Sequence, residues 1–376
     1  MSNDRESKFE LMRIISMFFI VWAHAVLHGK VLENANNPVL YNFLELTRYI
    51  VLVHVNSYVL LFGYFQSKSN FRLSKLIKLF LQVTFYSIVF FAIAVKLGWL
   101  VDYNFVSIVE NIIPSCISNY WFINAYIITY IFSDYINIFI NRLSRKEYKN
   151  LLFIMFIMMS IVPYITGLKV VDNNGYHYIH FIYIYLIGAY LRKYSLKETY
   201  HFRRLSLSGY RFLLIVTFLG MGIVNYLVNY YMLNINELSN MSTFLSSTIL
   251  LCPTKYSAPF LVIQSIAYFE FFKSLKFKSK SINVLSKYVF GVYLFHDNIY
   301  VREQIYKIVG IDNGLFYGYR HIIYVFVGSI IIFVVGLIFE YIRQLIFKLF
   351  GKIPILIKIK EKLYSFVTSF NSKIRI

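Results

Sequence analysis

Cysteine is almost missing: Cys116 and Cys252 are the only two in 376 residues. Two thiols so far apart supply neither a CxxC redox motif nor a thiolate metal cluster, and they exclude a disulfide scaffold. Proline (6) and glycine (16) are scarce too, which removes collagen-like repeats and flexible low-complexity linkers. Charge is the third shortage. Only 15% of the residues are Asp, Glu, Lys or Arg, against about 25% in a soluble domain, too few to cover the surface of a large water-soluble chain. Acids are the rarer half, 18 against 38 Lys and Arg.

What fills the chain is apolar and aromatic surface: 58% of the residues, with 34 Tyr and 37 Phe. Apolar stretches long enough to span a bilayer fall at about 9–27, 49–65, 76–97, 120–140, 150–166, 176–191, 211–231, 256–272, 284–300 and 320–347. The expected fold is therefore all-α, a polytopic membrane bundle of about ten transmembrane helices. The sixth and ninth stretches hold polar residues. Ten spans return the chain to its starting side. Thirty of the 38 Lys and Arg then lie on that side; the other side holds Lys30, Arg48, Lys96, Lys169, Lys255, Arg302, Lys307 and Arg320. By the positive-inside rule both termini are cytoplasmic. The net charge of +20 is thus expected to set topology and meet anionic lipid, with no nucleic acid as partner. The first apolar run contains Arg13 and His24 and has no small-residue cleavage site, so it reads as a retained span. Residues 1–347 are expected to form one membrane-embedded domain. Residues 348–376, mixing Lys with Ile, Leu and Phe, are expected to form a basic amphipathic tail on the inner leaflet. The run 244–252 is too short to span and reads as re-entrant or interfacial.

Ionisable side chains inside spans are costly and usually face a cavity or a partner. Arg13 and His24 stand eleven residues apart in the first span, about 16 Å of rise and near three turns, so they point to roughly the same side. His24 falls toward the outer face, as do His54 with Asn56 in the second span and His296 with Asp297 in the ninth. An interfacial role and a general base both suit His24, because histidine exchanges protons near neutral pH. No HExxH or comparable spacing speaks for a metal, and none is expected. At the inner mouth, Arg72, Lys75 and Lys78 recur every three residues and would form one helical stripe. Such a stripe serves as a topology anchor or as a clamp for a ligand with several phosphates.

These constellations resemble the acyltransferase 3 family of integral membrane O-acyltransferases. The R-x10-H pattern falls on Arg13 and His24. LLFGYFQSKSN followed by FRLSKLIKLFLQVTFYS is similar to the family's Gly-containing turn and basic pair, best placed on Lys75 and Lys78, with Arg72 in the wider stripe. SNYWFINAYIITYIFSDYIN is similar to its fourth-span signature through Trp121, Phe122 and Tyr126, YIYLIGAYLRKY to its sixth span, and FGVYLFHDN to its late YLxH segment. The likeness covers about residues 8–345. It departs at Asp134, where the family commonly has proline, and in carrying lysine for arginine in the basic pair.

The resemblance implies an acetyl-CoA-dependent transferase that moves an acetyl (acyl) group from cytoplasmic acyl-CoA to a hydroxyl of a surface polysaccharide or lipid-linked sugar. It implies His24, Arg13 and His296 as catalytic residues, and Arg72, Lys75, Lys78, Trp121 and Tyr126 around the acyl-CoA. Its partners would be the donor, the glycan acceptor, membrane lipid and polysaccharide-synthesis machinery. A secondary transporter or glycan flippase is the alternative. No internal repeat and no Pro- or Gly-broken span supports it.

Overall fold

The computed structural model describes residues 5–35, 37–113, 120–166, 175–238, 256–311, 319–351, 365 and 367–369. Cys116, Cys252, the 244–252 run and most of the tail expected after residue 347 lie outside the described residues. Every regular element among the described residues is helical, as a chain with few backbone partners in hydrocarbon requires. In chain order these are α1 Ser7–His28, α2 Pro38–Val51, α3 His54–Gln66, α4 Leu73–Lys96, α5 Phe105–Ile112, α6 Trp121–Arg142, α7 Arg145–Phe156 and, after a π-helical turn at Ile157–Ile161, α8 Val162–Thr166. They continue with α9 Tyr178–Lys193, α10 Tyr200–Arg203, α11 Leu207–Leu238, α12 Pro259–Ser274, α13 Lys280–Leu285, α14 Val289–His296, α15 Arg302–Val309 and α16 Tyr319–Phe350.

Seven stretches among the described residues are long and apolar enough to cross a membrane: α1, α2 with α3, α4, α6, α7 with α8, α11 to Tyr231, and α16 from Arg320. Three expected spans take other forms. Those at 176–191 and 256–272 fold as α9 and α12, of 16 residues each, about 24 Å long. The one at 284–300 is not a continuous helix. It divides into α13 and α14 and stops at His296, where Asn298 folds the chain away. The Asn298 carbonyl oxygen accepts the Tyr300 N–H at 3.1 Å and its amide donates to the Tyr120 hydroxyl at 2.9 Å, a side-chain-to-backbone turn that competes with helix.

The span expected at 49–65 begins earlier and is interrupted at Leu52–Val53, between α2 and α3. A helix end leaves carbonyls without intrahelical partners. Here Gln264 of α12 donates to the Ile50 carbonyl at 3.1 Å, so the break is supported from a neighbouring helix.

Two buried apolar clusters organise the bundle. One is built from α3, α9 and α12, the other from α1, α4, α14 and α16. The tightest crossing joins α3 to α9. A β-carbon on Gly63 would stand 2.1 Å from the Tyr185 carbonyl oxygen, and one on Gly188 would stand 2.3 Å from that of Leu60. The two glycines therefore let the backbones touch, as small residues do in membrane helix pairs. Scarce acids are placed with economy. Glu10–Arg13, Glu45–Arg48, Glu270–Lys273 and Glu340–Arg343 are ion pairs three residues apart on one helix, which satisfies charge locally before it enters the bundle.

Candidate active site

His24 lies near the C-terminal end of α1, and 16% of its side chain is exposed. Its neighbours come from the end of α14. His296, fully buried, is the last residue of that helix, and Asp297 is its C-cap. His296 Nδ1 lies 2.6 Å from the Val292 carbonyl oxygen, and its Nε2 lies 3.2 Å from His24 Nδ1. A carbonyl oxygen only accepts, so the proton of His296 sits on Nδ1. With one proton on that ring, Nε2 is a lone pair, and His24 Nδ1 must donate to it. The second nitrogen of His24, Nε2, then carries the lone pair. Asp297 Oδ1 stands 3.5 Å from the same His24 Nδ1 and 3.3 Å from Arg302 Nη1. The chain Arg302–Asp297–His24, with His296 beside it, thus fixes the His24 tautomer and sets a carboxylate where an imidazolium would need one.

A small cavity opens at this point, at the seam between the two apolar clusters. Met17, Ile20, His24, His54, Val55, Tyr58, Trp121, Phe122, Tyr256, Phe290, Tyr293 and Asp297 line it. A second, larger cavity is walled by Tyr58, Leu79, Phe122, Ile123, Tyr126 and Phe290. The shared residues Tyr58, Phe122 and Phe290 separate the two spaces. Leu79 leads to the basic segment, since Lys75 lies four residues before it on the same helical face. Trp121 and Tyr126, expected together at the donor, are divided: Trp121 borders the His24 cavity and Tyr126 the second one.

The basic stripe is shorter than its spacing suggests. Arg72 is the N-cap of α4, with extended backbone, and stands outside the helix. Its N–H donates to the Tyr130 hydroxyl at 2.9 Å, and the Lys75 ammonium lies 5.9 Å from the centre of that ring. Asp134, the departure from the family pattern, accepts the Phe71 N–H at 2.8 Å through Oδ1 and 3.0 Å through Oδ2. It anchors the turn that carries the cations. Lys78 is exposed one turn further on.

Arg13 is not brought to His24. Its guanidinium pairs with Glu10 and lies 5.5 Å from the Phe65 ring centre, while its carbonyl accepts the Tyr58 hydroxyl at 2.7 Å. Glu10 was legible as a partner from its spacing alone. His24, His28 and Asp297 bring ligand atoms within 4.8 Å of one another, but Asp297 is already paired with Arg302. Arg302, expected only as a basic residue of the outer side, is the contributor to the site that sequence reasoning missed. Its clue is the five-residue step from Asp297 across a turn.

The long apolar helices, the seam cavity and the basic turn before α4 describe an integral membrane protein with an internal site. The acyltransferase 3 family model, an acyltransferase domain, matches residues 6–341. The chain belongs to that family. No curated protein and no solved structure matches it.

Proposed function

We propose that the chain is an acetyl-CoA-dependent O-acyltransferase of the cell membrane. It takes an acetyl (acyl) group from cytoplasmic acyl-CoA and delivers it to a hydroxyl of a surface polysaccharide or lipid-linked sugar. The observation that carries the reading is the His24 Nε2 lone pair beside a largely apolar cavity, fixed by His296 and Asp297. Family membership supplies the class of reaction.

In this reading ten spans cross the membrane, with α9, α12 and the broken α13–α14 pair completing the seven long ones, and both termini are cytoplasmic. Residues 1–347 are the membrane domain and 348–376 a tail on the inner leaflet. Arg72, Lys75 and Lys78 hold the phosphates of the donor, and its acyl arm runs past Tyr126 through the second cavity to Trp121. There the acceptor hydroxyl attacks the thioester directly, and His24 Nε2 takes its proton. Direct transfer suits the site because, among the described residues, those lining the His24 cavity include no Ser, Thr or Cys nucleophile. Arg13 acts through Tyr58, whose ring separates the two cavities. Protein partners are sought in polysaccharide-synthesis machinery.

The test is NMR analysis of O-acetyl groups on the surface glycan of deletion and complemented strains. Loss of O-acetylation on deletion and its return on complementation is the expected result; an unchanged acetyl pattern contradicts the reading.

A further inference from the structure

We propose that His54 holds the thioester carbonyl oxygen during transfer, donating a ring N–H as that oxygen becomes an oxyanion. The inference rests on the acyl-transfer reading and adds the electrophilic half of its chemistry. His54 opens α3 at the break after α2, so the positive end of the α3 dipole lies at the same end of the helix. The residue is 1% exposed and borders the His24 cavity, and among the described residues neither ring nitrogen has a hydrogen-bond partner. The ring meets Tyr256 edge-on, with centroids 5.9 Å apart and planes at 71°.

A neutral imidazole always carries one N–H, and leaving it unpaired in a buried site is unfavourable. The cavity therefore has a donor that waits for an acceptor. The Tyr58 hydroxyl is bonded to the Arg13 carbonyl and His24 Nδ1 faces His296, so both are engaged, while the Tyr293 hydroxyl lies toward the Asp297 carboxylate. A carbonyl oxygen delivered to this space by an acyl arm meets His54.

The step balances without a further reactant. The acceptor O–H gives its proton to His24 Nε2 while its oxygen bonds to the carbonyl carbon. The carbonyl π pair moves onto oxygen, where the His54 N–H stabilises it. Collapse restores the carbonyl and breaks the C–S bond, and the coenzyme A sulfur leaves with the proton from His24.

Two nearly isosteric variants of the full chain test this, His54→Asn with an N–H donor and His54→Leu without one. Acetyl transfer to glycan is measured in membranes. Acetyl-CoA affinity and acceptor-free thiol release are measured with the same proteins in nanodiscs. His54→Leu is expected to lower both transfer and thiol release by about 10²–10³-fold at unchanged acetyl-CoA affinity, because hydrolysis passes through the same oxyanion. His54→Asn should recover about tenfold or more over His54→Leu, and added imidazole should raise the rate of His54→Ala. Equal rates for the Asn and Leu variants in an active enzyme overturn the role of His54. So does a loss of transfer with thiol release intact, which places His54 on the acceptor. A wild-type protein that neither transfers acetyl nor releases thiol removes the acyl-transfer reading itself, and this role with it.

Discussion

The proton on His296 Nδ1 decides what His24 can do. Because the Val292 carbonyl demands that proton, His296 offers His24 a lone pair, and the basic nitrogen of His24 is its other one. Asp297 adds the charge that an imidazolium at His24 needs. Asp297→Asn keeps the shape and removes the charge. Since a hydrogen bond to a charged group contributes about 1.5–3 kcal/mol, the variant should lower kcat about ten- to a hundredfold with acetyl-CoA affinity unchanged, as read by transfer and donor-binding assays on matched membranes. The sequence shows these histidines at similar depth in three spans. It does not show that His296 rather than His54 meets His24, because that choice depends on how α14 ends. The Asn298 turn, a single polar residue acting on local backbone, sets that end. Arg13 illustrates the opposite case: its tie to Glu10 is local, three residues away, and needs no fold to be read.

Helices were the legible elements and their interruptions were not. Apolar composition runs straight through Leu52–Val53, so periodicity gives no sign of the break; the sign is Gln264, two hundred residues away, donating to the Ile50 carbonyl. The crossing of α3 and α9 depends on Gly63 and Gly188, whose missing β-carbons permit backbone contact. Alanine at either position forces the helices apart, at about 1–3 kcal/mol of overpacking. The expected outcome is a lower thermal transition in detergent and lower transfer, since α3 carries both His54 and Tyr58. A wild-type transition for both variants would show that this crossing is not close-packed. At the start of α4, Lys75→Ala with Lys78→Ala should weaken acetyl-CoA binding about tenfold to several thousandfold, each charge-assisted phosphate contact being worth about 1.5–3 kcal/mol. Arg at both positions should retain binding. Unchanged affinity in the double Ala protein would leave the lysines as topology anchors.

For the whole molecule, thirty basic residues against eight on the expected ten-span layout are the ground for the proposed orientation. The proposal puts the basic turn and the donor inside, and His24 toward the acceptor outside. A reporter fused after Ile376 is expected in the cytoplasm, and one inserted at Asn173, outside the described residues, on the external face. Reporter activity with those two locations exchanged would put the phosphate clamp on the wrong side for coenzyme A. The account as a whole claims that an acyl group crosses the bundle and that His24 removes the acceptor's proton. The measurement that meets this claim most directly is transfer of labelled acetyl from acetyl-CoA to surface glycan, in membranes holding matched amounts of wild type and His24→Gln, with acetyl-CoA binding followed in parallel. Glutamine keeps a hydrogen bond but takes no proton near neutral pH. The account predicts that transfer falls by about 10²–10⁴-fold while acetyl-CoA binding stays at the wild-type level; near-normal transfer by His24→Gln would contradict it.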